Sequence, residues 1–189
     1  MFEEAMIRYA SPTLAGIKTG ALFSYMHKSI KKLMKQISTF NKKYIQKGLR
    51  LIPLRWNDQS ALLYIYRPNL LEKAFHCQQA RCLLKDCGYT CANKEHCIIH
   101  LMKRLNQSSN FPHEIGIFLG YPIEDVIGFI ENKAKGEKMI GTWKVYGDVD
   151  EAKKKFAQYD HLTSRFMEMF HEGKTLEEIV ETKLNFFIN

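Results

Sequence analysis

The sequence predicts an α+β protein, predominantly helical, with a small antiparallel sheet of about three strands covered by helices. Three observations predict it. Apolar residues recur at steps of three and four over most of the chain, the mark of helices with one buried face. Two short β-rich runs flank a polar three-residue break, as in a hairpin. Apolar residues fill 46% of the 189 positions, enough for a packed core.

The elements follow in order. Residues 1–13 are expected as a lead-in segment, with Pro12 as a breaker, and residues 14–189 as one globular domain. Residues 20–47 predict a long amphipathic helix: Leu22, Met26, Ile30, Leu33, Ile37, Phe40 and Tyr44 form its apolar stripe, and Lys28, Lys31, Lys32, Lys35 and Lys42 lie opposite. Gly48 suits its end. Residues 49–66 predict a hairpin of strands 49–56 and 60–66, with Pro53 placing the first at an edge or a bulge. Helices are expected at 68–87, opened by Pro68 and closed by Gly88, and at 93–106. Signature helices cover 112–132. A Lys/Gly loop then leads to a strand at 142–146, expected to pair with the hairpin as its third strand, with helices on one side of the sheet. Capping boxes at Asp148–Glu151 and Thr175–Glu178 start the C-terminal helices, spanning 148–187.

Residues 111–130 hold the densest signal. Pro112 and Pro122 each suit a first helical turn, Gly120 suits the positive φ just past a helix end, and Glu114, Glu124 and Asp125 sit near helix N-termini, where negative charge is favoured. This block, FPHEIGIFLGYPIEDVIGF, together with LAGIK at 14–18 and GTWKVY at 141–146, resembles an uncharacterised bacterial family found mainly in clostridia and their relatives. The domain of that family has no assigned function. The resemblance spans roughly residues 14–170 and implies a bacterial, cytoplasmic, single-domain protein. It brings no catalytic residue or cofactor with it.

Charge is unevenly placed. Residues 1–60 carry 11 Lys/Arg against 3 Asp/Glu, and the remainder carries 17 of each, so the whole net charge of +8 lies in the first third. No apolar run approaches the ~20 residues that span a bilayer, and the acidic start lacks the order of an export signal. The expectation is a cytoplasmic protein without a transmembrane segment. The five cysteines all fall between Cys77 and Cys97. An odd number without an export signal argues for reduced thiols rather than a disulfide framework.

Candidate chemistry is spread over several segments. His113 and Glu114 could transfer protons, bind an anion or ligate through imidazole; equally, they could serve the helix start locally. Neighbours on a helix point about 100° apart, which works against a shared ligand. Cys87, Cys91, His96 and His100 are candidate metal ligands, although the Cys-x2-Cys spacing of zinc sites is absent and buried thiols often serve as small hydrophobes. Lys18, Tyr64, Tyr66, Lys144 and Tyr146 are candidate ligand-binding residues: Lys18 lies between Gly16 and Gly20, and the others alternate along strands so as to share faces. Lys28, Lys31, Lys32, Lys35 and Lys42 could follow a phosphate backbone, though Arg is scarce there. There is no P-loop and no dinucleotide fingerprint, and position 117 is Ile where a zinc-protease helix needs His.

The leading expectation is a protein that binds a small anionic ligand or a cofactor of unknown identity between the sheet and the 111–130 block, through His113 and nearby Lys and Tyr residues. One alternative is a nucleic-acid-associated protein using the lysine-rich helix of residues 27–50. Another is a protein–protein interaction module. The sequence leaves open whether it is an enzyme, and its oligomeric state.

Overall fold

Residues 2–14 are a buried helix, α1 (Phe2–Leu14), where a loose lead-in is expected. Phe2, Met6, Ile7, Ala10 and Leu14 are all buried, so the helix is held by packing despite Pro12 in its last turn. There the missing N–H orphans only the carbonyl of exposed Arg8. The computed structural model describes residues 1–90, 93–107 and 111–182.

The region expected as one helix over 20–47 is two elements, strand β1 (Gly20–Met26) and helix α2 (Ile30–Tyr44). Ser29 separates them as the N-cap, its side chain accepting from the Lys32 N–H. Strands β2 (Arg50–Trp56) and β3 (Ser60–Tyr66) form the expected hairpin. The third strand is β1, not residues 142–146: the antiparallel order is β1-β3-β2. Pro53 sits on the edge strand β2, beside a register shift between Pro53 and Arg55. Asn41 of α2 covers that edge, exchanging two 2.8 Å hydrogen bonds with the backbone of Leu51.

Central β3 is apolar on both faces, and helices cover both, rather than one side as expected. Ala61, Leu63 and Ile65 face a core with α1, α2, α8 (Val149–His171) and α9 (Leu176–Glu181). Tyr64 and Tyr66 face a second core. It is built with α3 (Pro68–His76), α4 (Gln78–Asp86), α5 (Lys94–Gln107), α6 (Ile115–Leu119) and α7 (Ile123–Glu131). The helix expected over 68–87 is broken at Cys77, whose extended backbone ends α3 and begins α4.

Residues 139–145 make a separate two-stranded hairpin of β4 (Met139–Ile140) and β5 (Lys144–Val145). Trp143 and Val145 of this hairpin pack on Phe156 and Tyr159 of α8 as a third small core. Among the described residues no helix is long and apolar enough to cross a membrane. The C-terminal helix expected to reach residue 187 ends at Glu181, and residues 183–189 lie outside the described residues.

Candidate functional site

The site begins with the corner between α6 and α7. Gly120 ends α6 in the left-handed region at φ 75°, as the sequence requires. Gly116 lets the corner close: a Cβ there would meet Val126 Cγ2 at 2.7 Å. Asp125, in the first turn of α7, is 3% exposed and does more than complement the helix dipole. One carboxylate oxygen accepts the Trp143 indole N–H at 2.6 Å, and the other accepts the Tyr146 and Gly147 backbone N–H groups at 2.7 Å each. Hydrogen bonds to a charged group contribute about 1.5–3 kcal/mol each. This carboxylate is the pin that holds the β4–β5 hairpin against α7.

Pinning the hairpin there leaves a cleft of about 440 Å³ between it and the two helices. Tyr121 and Trp143 stack at 4.9 Å to form one aromatic wall, and Phe156 meets the indole edge-on at 4.5 Å. Ile115, Leu119, Val126 and Phe129 supply more apolar lining. His113 lines the cleft from an exposed position, its ring edge-on to Phe129 at 5.0 Å, and its imidazole makes no hydrogen bond among the described residues. Lys144 lines it too, with Nζ donating to the Ala134 carbonyl at 2.7 Å and pairing with Glu137 at 3.0 Å. So the structure brings together His113 and Lys144, two of the residues singled out in the sequence. The cleft lies between the 111–130 block and the small hairpin, not between that block and the main sheet.

The other candidates lie elsewhere. Glu114 points away from His113 and is 2% exposed. Its carboxylate accepts from the Tyr89 hydroxyl at 2.9 Å, and Arg104 Nε approaches the same oxygen at 2.7 Å, an ion pair whose N–H is off line for a hydrogen bond. Burial and the Glu114 charge both raise the Tyr89 pKa far above its ordinary value. Glu114 is thus an internal tie between α5 and the start of α6. Tyr64 is fully buried, its hydroxyl donating to the Phe118 carbonyl at 2.6 Å, and Tyr66 stacks on it at 4.9 Å. Both belong to the core. Tyr146 packs its ring over Gly128, where a Cβ would come within 2.6 Å, and its buried hydroxyl has no partner among the described residues. It does not line the cleft.

Lys18 is held by the turn after α1. Gly16 has φ 87°, and Arg67 fastens the end of α1 by donating to the carbonyls of Thr13 at 2.7 Å and Leu14 at 2.5 Å. Lys18 is buried, donates to the Gly20 carbonyl at 2.8 Å and lies 5.3 Å from the centre of the Tyr121 ring. Desolvation lowers its pKa to about 8.

The metal candidates do not converge. Among the described residues no three His, Cys, Asp or Glu side chains are grouped to hold an ion. His96 is exposed, the His100 ring lies tilted against Tyr89 at 4.2 Å, Cys87 is a free thiol, and Cys91 lies outside the described residues. Cys97 is disulfide-bonded, which corrects the expectation of reduced thiols throughout.

The lysine face is real but only partly collected. Lys28, Lys32, Lys35 and Lys43 line a groove of about 760 Å³ between α1, the end of β1 and α2, whereas Lys31 and Lys42 are exposed outside it. This groove is the larger concavity. The smaller cleft is the better small-molecule candidate, because its walls are aromatic and its polar groups few.

A mostly helical α+β protein with an aromatic cleft closed by a carboxylate-pinned hairpin is the class these features define. The chain belongs to the family described as a protein of unknown function, DUF3793, whose match covers residues 6–180. Searches of curated proteins and of solved structures return no match.

Proposed function

We propose that this chain is a cytoplasmic protein that binds a small, flat, largely apolar molecule carrying one anionic group, of the aromatic-carboxylate class, in the cleft between α6–α7 and the β4–β5 hairpin. The supporting observation is convergence: a Tyr121–Trp143 wall, the facing Phe129, and two groups able to meet an anion, His113 and Lys144, all on one opening. Asp125 also lines the cleft, but three N–H donors already occupy its oxygens. Glu137 partly neutralises Lys144, so His113 is the freer partner for the anion.

Calorimetric titration with cinnamate and with cinnamamide tests the reading. Cinnamate is expected to bind saturably, with the neutral amide about tenfold weaker, or roughly 1.4 kcal/mol. His113→Ala and Lys144→Met should each weaken cinnamate several-fold. Equal affinity for acid and amide, unchanged in both variants, would remove the anionic part of the reading.

A second reading is favoured by the α1–α2 groove. Lys28, Lys32 and Lys35 have no carboxylate within 4.0 Å among the described residues, and both ring nitrogens of His27, which also lines the groove, are shielded without a protein partner. Such a row suits a phosphate backbone. It predicts low-salt binding of single-stranded nucleic acid that weakens steeply as salt rises, and loss of binding on reversing the charge of those three lysines. A flat salt response would exclude it.

A further inference from the structure

Lys18 is used by neither reading above, yet it is a buried cation in an unusual setting. It is 8% exposed and has no carboxylate within ion-pair distance among the described residues. Among the described residues its ammonium makes one hydrogen bond, to the Gly20 carbonyl, leaving two of its three donor positions without an acceptor there. A buried lysine with a structural role ordinarily has a charged partner, because an isolated ammonium is costly to desolvate.

Lys18 also lines a depression of about 420 Å³ between α1 and α8. Arg8 and Tyr9 border it from α1, Tyr159 and Asp160 from α8, and Thr142 from the β4–β5 hairpin; Tyr121 lies behind the ammonium. Arg8 is exposed and only half committed, through an i,i+4 pair with Glu4 at 3.1 Å. The depression is therefore lined by both a buried lysine and an exposed guanidinium side chain.

We propose that Lys18 is a nucleophilic amine that forms an imine with a small carbonyl compound bearing an anionic group, such as a 2-oxo acid, whose carboxylate Arg8 receives. The neutral amine donates its lone pair to the carbonyl carbon. A C–N bond forms, the C=O π electrons move to oxygen, and the proton lost from nitrogen ends on that oxygen as a carbinolamine. Loss of hydroxide with a second proton, as water, leaves the imine. Burial supports the first step by keeping much of the amine neutral near pH 8. Arg8 and Asp160, of opposite charge, border the same depression, and the phenols of Tyr121 and Tyr159 stay neutral because burial raises their pKa values, that of Tyr159 to about 12.

The test traps the imine in the intact protein. Glyoxylate and cyanoborohydride are added at pH 8, and the secondary amines formed are located by peptide mass spectrometry. Lys18 should be modified on the order of tenfold faster than exposed lysines such as Lys28 and Lys153, because its neutral fraction at pH 8 is on the order of a hundredfold larger while burial and its lower basicity slow each encounter. Replacing glyoxylate by the neutral aldehyde propanal should shrink that advantage, and Arg8→Gln should shrink it for glyoxylate alone. Modification of Lys18 no faster than that of the exposed lysines would overturn the proposal and leave a buried lysine with a structural role only. The comparison is internal to the wild-type chain, so it needs no variant at Lys18 to fold.

Discussion

Asp125 and Trp143, eighteen positions apart in sequence, meet through a 2.6 Å hydrogen bond from the indole N–H to the buried carboxylate. That bond, with the two backbone N–H groups sharing the carboxylate, makes the β4–β5 hairpin a wall of the cleft rather than a loose loop. Asp125→Ala should therefore cost about 2–4 kcal/mol in urea denaturation, the range for removing a charged group from a buried network. It should also shift tryptophan emission to the red as Trp143 becomes wetted. Native-like emission with unchanged stability would show that Asp125 is not the pin.

Gly120 is required by both its backbone and its surroundings. Its φ of 75° disfavours a side chain, and an added Cβ would sit 2.5 Å from Thr19 Oγ1 and 2.7 Å from Thr19 Cβ. Gly120→Ala should lose about 2 kcal/mol or more, the sum of backbone strain and forced displacement. Thermal unfolding of the variant beside a control, Gly136→Ala, separates the two terms. Gly136 shares the positive φ, at 72°, but a Cβ there meets nothing within 4 Å.

Glu114 is expected to matter for stability and not for the ligand. Glu114→Ala leaves the Tyr89 hydroxyl and Arg104 Nε without their carboxylate, while Arg104 keeps its bond to the Cys87 carbonyl, and should cost about 1–3 kcal/mol. Cinnamate affinity of the folded variant should stay within about twofold of wild type, since Glu114 lies outside the cleft lining. A larger loss of affinity in a variant of normal stability would return Glu114 to the site.

Lys18 gives a pH prediction with a definite sign. Its pKa falls from 10.5 to about 8 on folding, so between those values the unfolded chain holds more protons than the folded one. Stability from this group therefore rises with pH across that window. Lys18→Met removes the effect: its stability advantage over wild type should shrink by about 2 kcal/mol between pH 7 and pH 9.5. Urea titrations at the two pH values measure it. A constant difference would mean that Lys18 titrates at its ordinary pKa.

Much of the fold was legible where local and tertiary preferences agree. The hairpin of β2 and β3, the α6–α7 corner, the Asp148 cap and the Thr175–Glu178 capping box carry their own turn and cap chemistry, although at Asp148 the expected box is only a one-way cap, since Glu151 pairs with Lys154. Residues 20–26 were misread because Leu22, Met26 and Ile30 continue the helical stripe of α2 backwards. The cap residue Ser29 was the available signal against it. Pairing with β3 decided the matter, and nothing local to 20–26 announces that partner. The lead-in was misread by giving Pro12 too much weight, since a proline in a last turn disturbs little.

The site was half legible. His113 and Lys144 were singled out for their chemistry and do share the cleft, but Asp125 was read only as a dipole partner, and Trp143 only as part of a strand. Their roles arise from a contact between α7 and a hairpin that no periodicity encodes. Tyr64 and Tyr66 looked like a polar-tipped ligand face because a second helical layer over that side of the sheet could not be foreseen.

The most direct test of the central claim uses the indole N–H of Trp143, one of only two tryptophans in the chain. A proton–nitrogen correlation spectrum resolves both indole signals while cinnamate is added. The cleft reading predicts a saturable shift of the Trp143 signal, little change at Trp56, and a weaker response in His113→Ala. A Trp143 signal that stays in place while cinnamate reaches millimolar concentration, or one that moves no more than that of Trp56, would contradict it.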